Sequence, residues 1–185
     1  EDIVLANIDM LSNDEKQILL NNFNNASLEY PSDKTIMELF EEQAILHSNH
    51  TAVIYKDENL TYKDLQEHVN KLACYLTSLG VQKGDIVCTL LPRSTDLIIS
   101  LLAIMKCGAI YLPISTTFPN DRINYIIKDS NAKLVITNSD VKNIHNANSI
   151  FINQIDYMNV DLRDANFAKA SPEDVIYTIY TSGST

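Results

Sequence analysis

The last twelve residues, Asp174 to Thr185, read D-V-I-Y-T-I-Y-T-S-G-S-T. From Val175 to Tyr180 the side chains are β-branched or aromatic. A short apolar run of this kind is expected to be a strand buried on both faces, the type that fills parallel sheets. It gives way to Thr181, Ser182, Gly183, Ser184 and Thr185, four hydroxyls around one glycine. Gly183 tolerates positive φ and lets a ligand approach the backbone closely. Successive N–H groups in such a turn form a concave anion site, to which the hydroxyls add donors. Open α/β sheets present phosphate sites in this way, on a small loop at the end of a buried strand. The competing reading is a solvent-exposed hairpin turn, the usual role of a Ser/Thr/Gly cluster. The apolarity of the preceding run weighs against it. The chain also stops in mid-loop, so the expectation is that it was cut there or that a continuation is missing.

The rest of the chain is consistent with one globular domain, or most of one. Its 185 residues are 45% hydrophobic and 21% charged, an ordinary globular composition. The net charge of −10 comes with no basic cluster, which argues against a nucleic-acid groove. Cys74, Cys88 and Cys107 are odd in number, widely spaced and set in apolar contexts, so buried free thiols and a reducing, cytoplasmic location are expected. His47, His50, His68 and His145 form no ligand spacing, and no metal site is expected from them. Glu1 and Asp2 stand where a signal peptide would be basic. The longest apolar run, Leu97 to Met105, is interrupted by Ser100 and falls far short of the ~20 residues of a membrane span.

Residues 1–34 read as a linker. Ser12 to Glu15 is a capping box that starts a helix near residues 13–23, with Ile18, Leu19 and Phe23 on its apolar face. Thr35 to Glu38 is a second box, opening a helix with Ile36, Leu39, Phe40 and Ala44 on one side. Strands are expected at 52–55, 60–62, 86–91, 109–112, 134–137 and 150–152, with a turn at Asp57-Glu58-Asn59. Helices are expected from Leu65 to Leu79, closed by Gly80, and over 94–105 and 119–130. The 94–105 helix is apolar nearly all round and should be buried. Residues 141–148 form at most a helical turn, and 154–170 are irregular. This alternation predicts an α/β fold with a partly parallel sheet flanked by helices.

Tyr-Thr-Ser-Gly-Ser-Thr, residues 180–185, resembles the start of the phosphate loop of acyl-adenylate-forming enzymes. Leu60-Thr61-Tyr62-Lys63-Asp64-Leu65 and the stretch from Met105 to Ile114 are similar to the first and second core motifs of adenylation domains, and Tyr177 to Thr185 to the third. The lead-in from Leu11 through Pro31 to Ile36 resembles the linker before adenylation domains of nonribosomal peptide synthetases. Two departures stand out: Cys107 where the family commonly has Ala, and Ser115 where it commonly has Asp.

The resemblance implies the N-terminal subdomain of an adenylate-forming enzyme, with the linker at 1–34 and the AMP-binding part at 35–185. The whole domain would use ATP and Mg²⁺ to activate an amino acid. It would then load the acyl group on the phosphopantetheine thiol of a peptidyl carrier domain, beside a neighbouring condensation domain, in antibiotic biosynthesis. Thr181, Ser182, Gly183, Ser184 and Thr185 would hold the ATP phosphates. No catalytic residue and no metal ligand is assigned here, and the chain alone is expected to be inactive without the remainder of the adenylation domain. The alternatives are a stand-alone acyl- or aryl-acid ligase, including the D-alanine type, and a non-catalytic α/β scaffold. The residues themselves point to plainer roles elsewhere. Tyr62 and Tyr111 read as core aromatics with bonded hydroxyls, Asp85, Asp96 and Asp174 as groups that cap or end elements, and Lys106 as a helix C-terminal cation.

Overall fold

A computed structural model describes residues 10–138, 148–155 and 167–181. The chain divides into two compact units, Glu1–Ser32 and Asp33–Thr185.

In the first unit, helix α1 (Asn13–Gln17) runs on into a π-helical turn, Ile18–Asn22. Ser12 is the N-cap. Its hydroxyl accepts from the Glu15 N–H at 3.3 Å, and the Glu15 carboxylate accepts from the Ser12 N–H at 2.9 Å. The predicted helix is thus present but widens in its second half. There the Asn24 amide donates to the Leu19 and Leu20 carbonyls at 3.0 and 3.1 Å, and the Phe23 N–H reaches five residues back to Ile18. No residue of α1 or of the π turn is buried. Leu19, Leu20 and Phe23 are all exposed.

The second unit carries the sheet. Helix α2 (Ile36–Leu46) is capped by the Thr35/Glu38 box. Strands β1 (Thr51–Tyr55) and β2 (Glu58–Thr61) form an antiparallel hairpin, and Thr61 caps helix α3 (Tyr62–Ser78) through a third box with Asp64. The hairpin turns at Lys56 and Asp57, not at Asp57 to Asn59, because Tyr55 pairs with Glu58. Lys56 takes a φ of 53° there, which no residue type at that position announces.

Then follow β3 (Ile86–Leu90), α4 (Thr95–Lys106), β4 (Ile110–Pro113), α5 (Asn120–Asp129), β5 (Leu134–Thr137) and β6 (Ser149–Phe151). The four strands make a parallel sheet in the order β4-β3-β5-β6. From β3 the chain steps to one side and then crosses back to the other. Crossovers of constant hand therefore place α4 and α5 on opposite faces, and two cores result. Val87, Leu134 and Ile136 pack with α3 and α4, while Cys88, Leu90, Leu112 and Val135 pack with Ile123, Ile126 and Ile127 of α5. Burial on both faces is why β3 and β5 read as apolar runs without alternation. No residue of α4 is exposed, as its all-round apolarity predicts. All three cysteines are buried, and none forms a disulfide. The expected turn at 141–148, apart from residue 148, and most of the irregular stretch 154–170 lie outside the described residues.

Val175 to Tyr180 differs from expectation. It runs beside β4 in the parallel sense but makes a single bridge, Tyr111 to Tyr177. The Tyr111 N–H donates to Ile176 O at 3.0 Å, and the Thr178 N–H donates to Tyr111 O at 2.9 Å. Ile176, Thr178 and Tyr180 are half-buried, whereas Val175, Tyr177 and Ile179 are exposed by 62%, 55% and 55%. The segment is an edge, with one face covered by the described residues. Apolar composition records that a face is fit for burial, not which layer covers it.

Candidate functional site

Parallel strands all point their carboxyl ends the same way, and ligands of open α/β sheets bind beyond those ends. Because 175–180 runs parallel to β4, Tyr180 lies toward that end. The loop after β4 leads there too. In it the Ser115 and Thr117 hydroxyls lie 2.8 Å apart, and the Thr117 N–H donates to Ser115 Oγ at 3.3 Å. Ser115 is the residue that departs from the Asp of the resemblance, and its hydroxyl makes a turn. The N-terminus of α4, capped by Ser94 Oγ accepting from the Leu97 N–H at 3.2 Å, opens after the carboxyl end of β3.

Of the five predicted phosphate-loop residues, Thr181 is described and exposed. Ser182, Gly183, Ser184 and Thr185 lie outside the described residues. The residue before them is well anchored. The Tyr180 ring packs against the core beneath α5, and its hydroxyl donates to Asp129 Oδ2 at 2.5 Å. Burial, then this bond and the Asp129 charge, push the phenol up to about 12. No feature of the linear sequence pairs residues 129 and 180; only the crossover of α5 brings them together.

The other residues take mainly packing roles. Thr89 Oγ1 donates to the Tyr111 hydroxyl at 3.3 Å, as expected of a core aromatic with a bonded oxygen. Tyr62 packs near Phe40, with ring centroids 6.3 Å apart. Asp85 accepts from the Gln82 N–H at 2.9 Å and pairs with Lys133 at 3.1 Å. Asp174 accepts from the Ser171 N–H at 2.6 Å and pairs with Lys83 at 2.7 Å. Asp96 lies in the first turn of α4, whose cap is Ser94. Burial, and then Glu58, hold the Asp96 carboxyl above its usual range. Lys106, in the last turn of α4, pairs with Glu41 and lies 5.1 Å from the Phe167 ring. A cavity of about 220 Å³ bounded by Thr35, Met37, Met105 and Gly108 adjoins the start of β4, the end of the sheet away from the strands' carboxyl ends. Among the described residues no three His, Cys, Asp or Glu are grouped to hold a metal ion, and no helix is long and apolar enough to cross a membrane.

Open parallel sheets of this kind bind their ligands beyond the carboxyl ends of the strands. Residues 40–185 match the family described as AMP-binding enzyme, and the chain belongs to that family. It is 39% identical over 191 residues to bacitracin synthase 3 of Bacillus licheniformis, a match covering 98% of this chain and 3% of that protein. The N-terminal subdomain of Klebsiella oxytoca NpsA, in complex with 3-hydroxybenzoyl-AMSN, superposes with a TM-score of 0.75 at 26% identity, over 85% of this chain and 41% of that one. NpsA-ThdA, an artificially fused adenylation–PCP di-domain of a nonribosomal peptide synthetase from the same organism, gives 0.74 at 27% identity, over 82% and 29%. The chain thus spans a small fraction of the length of the synthetases it matches.

Proposed function

We propose that this chain is the N-terminal part of an amino-acid-activating adenylation domain of a nonribosomal peptide synthetase. The observation that carries the reading is the match to a peptide synthetase over 98% of the chain, with residues 1–34 acting as the linker that leads into the domain. The whole domain would join the substrate carboxylate to the α-phosphate of ATP, releasing pyrophosphate. It would then pass the acyl group to a carrier-domain phosphopantetheine thiol in the cytoplasm. Two anionic groups must meet in the first step, so catalysis depends on positioning and on donors that neutralise charge. Thr181, Ser182, Gly183, Ser184 and Thr185 supply such donors to the ATP phosphates. Mg²⁺ enters as the counter-ion of those phosphates, and no residue of this chain is assigned to it. A condensation domain would cover the exposed Leu19, Leu20 and Phe23 of the linker.

The test uses the whole synthetase that contains this chain, with ATP–pyrophosphate exchange measured over a panel of amino acids and aryl acids. Thr185→Ala should lower kcat/KM for ATP roughly 10- to 100-fold, the loss of one hydrogen bond to a charged group, with little change in Tm. Gly183→Val should lose more, since a β-branched residue resists positive φ. Wild-type ATP kinetics in both variants would reduce the loop to a turn. Exchange with aryl acids alone would move the substrate to the class of acyl group seen on NpsA. Exchange above background from the 185 residues alone would place the site elsewhere.

A further inference from the structure

We infer, independently of the phosphate-loop reading, that the cavity between the end of α5, the start of β3 and the edge segment is a binding site for a compact organic cation. The group it takes is a primary ammonium or guanidinium on a short alkyl stem.

The cavity measures about 250 Å³, below the size of pockets that hold drug-sized ligands. Three of its polar side chains, Asp129, Ser130 and Tyr180, have little left to donate. The Tyr180 hydroxyl donates to Asp129 Oδ2 at 2.5 Å, and the Ser130 hydroxyl donates to the Ile127 carbonyl at 3.2 Å. An ionised carboxylate has no donor at all. What these groups still offer is lone pairs, so the ligand must bring the N–H donors.

The sign of the charge follows from the same place. Asp129 is the last residue of α5, where the carbonyl end of the helix dipole is itself negative. Among the described residues lining the cavity none is basic. A cation entering it is therefore attracted by both the carboxylate and the helix end, and an anion is repelled by both. The chain as a whole carries −10, which adds to the attraction. Tyr125, on the same wall, already receives one cation: the Arg122 guanidinium lies 5.7 Å from its ring centroid, within the range of a cation–π contact. Ile86 and Ile179 supply an apolar surface for the stem, as alkyl stems of charged groups prefer. An occupant touches α5, β3 and the edge segment together. Its binding should therefore slow exchange at the Thr178 N–H, which bonds to Tyr111 O.

The experiment follows n-butylammonium and n-butylguanidinium on the whole synthetase by saturation-transfer NMR, with hydrogen exchange of residues 175–180 read by mass spectrometry. The controls are 1-butanol and butyrate, which share the stem and lack the positive charge. Only binding that Asp129→Asn weakens is scored, so amine held elsewhere in the synthetase does not enter. Both cations should bind and protect 175–180, and neither control should. Asp129→Asn should raise Kd roughly 5- to 10-fold, between an exposed ion pair and a charged hydrogen bond. Asp129→Glu, which keeps the charge, should retain most of the affinity. Tyr125→Leu, at a position 50% exposed, should cost about 2- to 5-fold. A thermal melt accompanies each variant. If Asp129→Asn does not fold, Tyr125→Leu and the contrast among the four probes decide. Equal protection by 1-butanol would reduce the cavity to an apolar hollow. Unchanged Kd in folded Asp129→Asn and Tyr125→Leu, or no protection of 175–180 by either cation, would overturn the site.

Discussion

Gly108 ends the turn between α4 and β4 with a φ of +68°. Its carbonyl accepts from the Gly84 N–H at 2.9 Å, tying two turns at the same end of the sheet. A Cβ built there would stand 3.3 Å from Lys83 Cγ and 3.4 Å from Lys83 Cβ. Gly108→Ala therefore adds a crowded methyl to a left-handed backbone, which costs about 1–2 kcal/mol. The expected outcome is a Tm lower by roughly 2–8 °C, read from a thermal melt of the chain. An unchanged Tm would mean that the turn relaxes to a conformation open to alanine. The glycine was legible in the sequence because it closes an apolar helix and opens an apolar strand. Cys107, one residue earlier, replaces the alanine of the resemblance without exposure: its thiol donates to the Ala73 carbonyl at 3.5 Å. The neighbouring α3 backbone accepts the extra sulfur in a way that composition does not reveal.

The three capping boxes are features of local sequence, and all three form. The box of α3 carries the most, since that helix buries Leu65, Val69, Leu72, Ala73 and Leu76. Thr61→Ala should destabilise the second unit by about 1 kcal/mol at neutral pH. The effect is linked to protons. Asp64 is held below its ordinary value of 3.8, first by the Thr61 hydroxyl and then by the Thr61 N–H. A depressed carboxylate stabilises the fold above its unfolded pKa and loses that contribution as pH falls through the folded one. The gap between wild type and Thr61→Ala in urea midpoints should therefore be full at neutral pH and narrow below the ordinary value. A gap independent of pH would show that the carboxylate takes no part in the cap. Elements of this kind were readable because their cause is local. The edge segment at 175–180 was not, because its single bridge depends on what lies beside β4. The Asp129–Tyr180 contact was equally hidden, since it needs α5 to lie over the face that Tyr180 joins.

At the scale of the molecule, covered and uncovered apolar surface coexist. The central strands are sealed between two helical layers, while Val175, Tyr177 and Ile179 present an open row. Motif order in the sequence pointed to the same family that residues 40–185 match. The sealed interior holds the three thiols, at 7%, 0% and 3% exposure for Cys74, Cys88 and Cys107. Burial pushes Cys88 up to about 12 and Cys107 up to about 11. A thiol reagent attacks the thiolate, so near neutral pH these sulfurs are inert until the surrounding structure opens. Cys88 and Cys107 are thereby built-in clocks. Cys107 borders a cavity with Thr77, Val81 and Lys83 and should be labelled early. Cys88, in the central strand β3, should tick only at the rate of global unfolding. Peptide-resolved labelling at rising urea would give that order, and native Cys88 reacting as fast as an unfolded control would contradict it.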